Sequence, residues 1–251
     1  YERGPFELTD SDITKMKEIL SNTNIKVCGI AAPFYKCDID NEEEIAQNIE
    51  GLKHCIDIAK QLDTNIIRGF TFWDKGNFIG NLDKIASKFE QPIQLLKQAN
   101  MILALEFDPT VYATNAKKLK MVIDKINSPY VKALWDPGND IYDPQGEEPY
   151  PYGYEILKQD ICHIHLKDAK RINGVTISTP MCEGDVDYKG QFNRLIDDKY
   201  EGYISLETHY RGETALSEEL LQLPKGSVFS YKGLEASTQS LENLMGLLNN
   251  L

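Results

Sequence analysis

Ala133-Leu134-Trp135-Asp136 is a short apolar run that stops on a carboxylate, and three more segments repeat the form: Leu103-Ala104-Leu105-Glu106, His163-Ile164-His165 and Ile204-Ser205-Leu206-Glu207. Each reads as a buried strand closing on a side chain that can bind a hard or borderline metal. A buried carboxylate is costly unless it is paired or coordinates a cation, so three carboxylates and an imidazole at equivalent strand ends need one shared cause. A single divalent metal site built from Glu106, Asp136, His165 and Glu207 supplies it. The mostly oxygen donor set suits Mn²⁺, Mg²⁺ or Co²⁺ and also admits Zn²⁺.

Outward from these segments, helical and strand-like patterns alternate, the order of a parallel sheet with crossover helices. Thr9 with Asp12 opens a helix whose Ile13, Met16 and Leu20 share one face, and a strand-like run from Ile25 to Ala31 follows. Asn41 ahead of three glutamates starts a second helix striped by Ile45, Ile49, Leu52, Ile56 and Ala59, before a strand over Asn65 to Phe72. A helix over Asn81 to Gln98, broken near Pro92, leads to the strand Met101 to Glu106. A helix over Asn115 to Ile126 leads to the strand Val131 to Asp136. A short helix at Tyr154 to Lys158 precedes the strand Ile161 to Leu166, and a helix over Lys189 to Asp198 precedes the strand Tyr203 to Glu207. The chain closes on a helix carrying Leu234, Leu241, Leu244, Leu248 and Leu251.

None of these strands runs into a Gly-rich phosphate loop, which argues against a dinucleotide-binding doubly wound sheet. The alternation predicts an α/β fold, a (β/α)8 TIM barrel forming a single domain over residues 1–251. Only six strands are visible, so the first strand and helix are expected to be lacking from this chain, with Tyr1-Glu2 as the tail of the second strand. Active sites of this fold gather at the C-terminal ends of the strands, where all four proposed ligands stand.

Lys plus Arg number 27 against 39 Asp plus Glu, a net charge of −12 that repels phosphate backbones and anionic membranes. The partners expected are therefore a small-molecule substrate, with no nucleic acid and no membrane. Cys28, Cys37, Cys55, Cys162 and Cys182 are odd in number and scattered, which argues against a disulfide framework or a thiolate zinc site and favours the cytoplasm.

Side chains two apart on a strand share a face, so Ala104 aligns with Glu106, Leu134 with Asp136, His163 with His165 and Lys167, and Ser205 with Glu207 and His209. The same parity aims Arg68 inward with Ile66 and Phe70, to hold an anion or a structural carboxylate. Lys167 is a candidate for a substrate oxygen, with a salt bridge to Asp168 as the plainer alternative. Asn139, three past a ligand, is a donor to a substrate hydroxyl or a turn residue. His209 is a candidate for substrate or metal, His163 reads as a core histidine and His54 as structural. Phe34, Tyr35, Phe72 and Trp73 follow earlier strands and either wall a sugar pocket or pack the core.

Taken together, Leu105-Glu106, Trp135-Asp136-Pro137-Gly138-Asn139, His163-Ile164-His165-Leu166-Lys167-Asp168-Ala169, Glu183-Gly184-Asp185-Val186-Asp187-Tyr188 and Gly202-Tyr203-Ile204-Ser205-Leu206-Glu207-Thr208 resemble the xylose isomerase-like TIM-barrel superfamily, which joins sugar isomerases and epimerases to inosose dehydratase-like proteins and endonuclease IV. The resemblance implies that Glu106, Asp136, His165 and Glu207 bind a divalent metal and that Glu106 and Glu207 also exchange protons with substrate. It implies a substrate-binding role for Arg171, six residues after the ligand histidine. Asn139 stands where ketose epimerases commonly carry His, and the endonuclease branch, with its additional histidines, is a poor match to a chain of four histidines and strong negative charge.

The activity implied is that of a metal-dependent isomerase or epimerase of a sugar, sugar phosphate or related polyol, working by proton transfer through a metal-stabilised enediolate. A dehydratase of an inosose-like substrate on the same site and a non-catalytic sugar-binding barrel are the alternatives. Gly212 to Gly233 is long for a barrel loop and is expected to be a lid, a contact in a homo-oligomer or a surface excursion.

Overall fold

Six parallel strands curl into a half-barrel in the order the chain makes them: β1 (Ile30–Phe34), β2 (Ile66–Gly69), β3 (Ile102–Glu106), β4 (Val131–Trp135), β5 (Ile161–Leu166) and, after an inserted hairpin, β8 (Ile204–Leu206). This computed structural model describes residues 3–212, 220 and 231–251. Tyr1-Glu2 and most of the 212–233 segment lie outside the described residues, and with them the expected strand tail and the expected lid, oligomer contact or surface excursion.

Helices alternate with the strands: α1 (Asp10–Thr23), α2 (Glu42–Gln61), α3 (Phe78–Ser87), α4 (Glu90–Ala99), α5 (Ala116–Ile126), α6 (Pro137–Tyr142), α7 (Tyr154–Leu157), α8 (Tyr188–Asp197) and α9 (Gly233–Leu248). Their starts follow the side-chain chemistry. Thr9 and Asp12 form a reciprocal capping box at α1, and the Asn41 and Asn115 side chains accept backbone N–H groups that α2 and α5 leave without helical partners. The α2 stripe of Ile45, Ile49, Leu52, Ile56 and Ala59 is buried, and the core continues through Leu103, Leu105, Ala133, Trp135 and Ile164 on the outward face of the strands. Among the described residues, no helix is long and apolar enough to cross a membrane.

Two local expectations are corrected, and one element is added. The first strand lies at Ile30–Phe34 rather than over 25–31, because pairing with β2 fixes it through Ile30 opposite Ile67, while the apolar Ile25 stays exposed. The helix expected over 81–98 divides at Lys88-Phe89, not at Pro92. Pro92 sits in the first turn of α4, where its missing N–H has no helical acceptor to disappoint. The stretch after β5 turns back on itself as β6 (Asp168–Ile172) and β7 (Val175–Thr179), an antiparallel hairpin through Asn173 and Gly174, both at positive φ.

Candidate metal centre

The sheet register decides which side chains meet. Glu106 pairs with Leu134, Leu134 with His163, and His165 with Ser205. The proposed ligands thus climb the sheet, from Glu106 to Asp136 two residues beyond Leu134, and from His165 to Glu207 two residues beyond Ser205. The tilt of barrel strands compensates for that climb. One ligand atom from each of Glu106, Asp136, His165 and Glu207 lies within 4.8 Å of all the others.

Glu106 and Asp136 are buried, as is His165, and Glu207 is 22 % exposed. Two cations lie among them. Arg68 Nη1 donates to Glu106 Oε2 and Glu207 Oε1, both at 3.1 Å. Lys167 Nζ sits 2.8 Å from Asp136 Oδ2 and 2.9 Å from Glu207 Oε2. The plainer expectation for Lys167, a bridge to Asp168, is not what forms. Asp168 instead accepts the backbone N–H groups of Ala169, Gly184 and Val186. His165 Nδ1 is 3.3 Å from Glu106 Oε1, and His209 Nε2 is 3.7 Å from Glu207 Oε2.

Burial and the Glu207 charge push the Glu106 carboxyl up, but Arg68 and His165 outweigh them and hold it at about 2. Glu207 is likewise held well below its usual range despite its burial, by Lys167, His165, His209 and Arg68. Asp136 differs. Burial, aided by the Glu207 and Glu106 charges, pushes its carboxyl up to about 7 against the pull of Lys167. Burial lowers His209 to about 4, and Lys167 adds to that effect.

This donor set fits a divalent cation. Three carboxylates share two cations, and Asp136 Oδ2 and His165 Nδ1 are buried with ion-pair contacts but no well-formed hydrogen bond. A small doubly charged ion taking one oxygen from each carboxylate and one imidazole nitrogen would satisfy both atoms and relieve the repulsion on Asp136.

Asn139 lies in α6, whose N-terminus is capped by Asp136 Oδ1 accepting from Gly138 N at 3.0 Å. Its Nδ2 donates to Phe107 O at 2.8 Å and lies 3.4 Å from Glu106 Oε1, so it orients the Glu106 carboxylate. Arg171 stands further out, on β6, where it donates to the carbonyls of Ile141 and Asp143. With Asn139, His209, Asp108 and Thr176 it lines a cavity of about 530 Å³. A second cavity, of about 770 Å³, is lined by Arg68, His165, Ser205 and Glu207.

His163 bonds Ser205 Oγ at 2.9 Å, and His54 bonds the Leu8 carbonyl. Phe34, Tyr35 and Phe72 are fully buried and stack on one another, so of the four rim aromatics only Trp73 keeps a partly exposed position. Sequence reasoning passed over Lys36 and Asp108. They form a nearly buried ion pair at 3.0 Å, with Lys36 Nζ 4.4 Å from the Phe70 ring centroid. Asp108 was legible, since it lies two past Glu106 on the same inward face. Lys36 carries no periodic signal.

A family model described as a xylose isomerase-like TIM barrel matches residues 2–226. No curated protein matches the sequence. Among solved structures, a D-tagatose 3-epimerase-like protein aligns at 18% identity and TM-score 0.74, covering 96% of this chain and 84% of its own. A probable 3-DHS dehydratase, AsbF from Bacillus anthracis, aligns at 19% identity and TM-score 0.66, over 82% and 78% of the two chains. The IOLI protein, solved with a bound zinc atom, aligns at 13% identity and TM-score 0.68, over 96% and 83%.

Proposed function

From the premise that the chain belongs to the xylose isomerase-like TIM-barrel family, we propose that it is a divalent-metal-dependent isomerase or epimerase of a sugar, sugar phosphate or related polyol. The observation that carries the reading is the convergence of Glu106, Asp136, His165 and Glu207 within 4.8 Å at the ends of four neighbouring strands. These four would hold the ion. When bound, the ion would polarise a substrate carbonyl and acidify the adjacent C–H.

The protein's own groups would then move the proton. Glu106 and Glu207 remain ionised through neutral pH, so either carboxylate is ready to accept a carbon-bound proton. The other, or the same one after the substrate has reoriented, returns it. Asn139 fixes the orientation of Glu106, and Asp136 with His165 serves chiefly to hold the ion. Arg68, Lys167, His209 and Arg171 are the substrate-contacting groups in this reading. Lys167 also fits a second outcome on the same site, dehydration: its ammonium, between Asp136 and Glu207, can hydrogen-bond a departing β-hydroxyl, which would leave as water with the proton that Glu106 or Glu207 took from carbon.

The test is to strip the protein with chelator, reload it with Mn²⁺ or Co²⁺, and screen ketoses, their phosphates and inososes for solvent deuterium incorporation at carbon. Metal-dependent incorporation is expected. Absence of bound or stabilising divalent ion, or exchange that survives exhaustive chelation, would sink the reading.

A further inference from the structure

We propose that the substrate of this centre carries an oxyanion, a carboxylate or a phosphate, and that Arg68 receives it with the help of the Lys167 charge once a divalent cation is bound. The inference rests on the metal reading above and extends it to the class of substrate. It starts from a count of buried charge. Glu106, Asp136 and Glu207 bring three negative charges, and Arg68 and Lys167 two positive ones, with both cations held by oxygens of those same three carboxylates. A divalent ion drawing on the three carboxylates takes over the charges that now balance Arg68 and Lys167. With a divalent ion bound, the three carboxylates ionised and the imidazoles neutral, the cluster carries a net of +1.

Buried cations need a partner, and a guanidinium cannot shed its charge by losing a proton. Among the described residues, the neighbours do not supply one. Asp108, the next acid along the inward face, is already paired with Lys36 at 3.0 Å. Asp140 is buried with its Oδ1 accepting from Ala116 N at 3.2 Å, and burial pushes its carboxyl well above its usual range. The surplus is left for the ligand to meet.

The geometry of Arg68 suits that task. Its Nε donates to Ala32 O at 3.4 Å and its Nη1 to the two glutamates, while none of its hydrogen bonds among the described residues uses Nη2. The side chain lines the cavity of about 770 Å³ together with His165 and Glu207. An oxyanion seated there would meet the N–H groups of Nη2, charge-assisted donors that the described residues leave unused. Metal and anion should therefore bind cooperatively, each tightening the other by the same factor.

Isothermal titration of the full chain with three probes of one carbon skeleton tests this: sorbitol, gluconate and sorbitol 6-phosphate, each with and without saturating Mn²⁺. Gluconate or sorbitol 6-phosphate is expected to bind the Mn²⁺-loaded protein at least tenfold tighter than sorbitol, and which of the two is preferred identifies the oxyanion. The preference should fall below about twofold in Arg68→Gln and return in Arg68→Lys, with thermal melts in Mn²⁺ confirming that both variants fold. Equal binding of all three probes, or a preference that survives Arg68→Gln, overturns the inference while leaving the metal reading intact. Failure of the wild-type chain to bind Mn²⁺ at all overturns both.

Discussion

Replacing Lys167 with Met removes a charge while keeping a long apolar stem, and it tests whether the carboxylate cluster is balanced as described. Lys167 Nζ lies 2.8 Å from Asp136 Oδ2 and 2.9 Å from Glu207 Oε2, and the side chain is 3 % exposed. At an effective dielectric of about 20, each contact represents roughly 6 kcal/mol of gross attraction. Desolvation of the ions offsets most of it. Removing one partner of such a pair still costs about 3–5 kcal/mol, because the remaining charges are left buried and uncompensated. At roughly 2–4 °C per kcal/mol for a chain of this size, metal-free Lys167→Met should melt about 6–20 °C below the parent protein. With saturating Mn²⁺ the gap should narrow, because the ion supplies the charge that the lysine no longer does. Thermal unfolding followed by circular dichroism, once in chelator and once in Mn²⁺, measures both. A variant that melts within about 2 °C of the parent in chelator, or that gains no more from Mn²⁺ than the parent gains, would refute the reasoning.

Glu106→Gln and Glu207→Gln should each lower solvent deuterium exchange on an accepted substrate by roughly 100-fold or more, the usual scale for losing a positioned acid or base; retention of more than about a tenth of the parent rate removes that residue from proton transfer. Gly138→Ala would set a Cβ against the Lys167 carbonyl oxygen, inside van der Waals contact, and 2.9 Å from its carbonyl carbon, both backbone atoms that cannot swing aside. It should cost about 1–3 kcal/mol in urea unfolding and weaken Mn²⁺ binding by prising α6 from the end of β5, and an unperturbed variant would show that this approach is not tight. Burial lowers His163 to about 4, and the nearby His165 adds to that effect. Its neutral form therefore stabilises the fold fully above pH 6.5, and this contribution is lost as pH falls from 6.5 towards 4. His163→Gln, which keeps a donor for Ser205, should remove that acid limb. Between pH 7 and pH 4 the parent should lose about 3 kcal/mol more than the variant, and equal losses in urea unfolding at the two pH values would contradict the shift.

Much of this architecture could be read from the chain because period-2 and period-3.6 signals are local. The α2 stripe, the Thr9–Asp12 box and the span of β5 all follow from residues within one or two turns of each other. The failures come from elements defined by partners. β1 is placed by Ile67 on the neighbouring strand, and the shift from 25–31 to 30–34 is invisible without that pairing. The β6–β7 hairpin is a different kind of miss. Ile172-Asn173-Gly174-Val175 carries an Asn-Gly turn signal, which is local and legible in the sequence, although a hairpin has no place in the parallel alternation around it.

At the candidate site, parity put the four proposed ligands on one face but did not reveal what holds them apart. The contact of Arg68 with Glu207 joins residues 139 positions apart, and the Lys36–Asp108 pair spans 72, so no local pattern could announce either. Register also explains where each ligand falls relative to its strand. Glu106 is the last residue of β3, whereas Asp136 and Glu207 each lie one residue past the strands that carry them, because neighbouring strands are offset along the sheet. A slip of one residue in any one strand would turn its ligand outward into the helices. The sheet that positions the ligands therefore also concentrates like charge, and Arg68 and Lys167 are what make that concentration tolerable in the fold. The same two cations become surplus when a divalent ion arrives, so the device that stabilises the metal-free site is also the one that would select an anionic substrate in the loaded one.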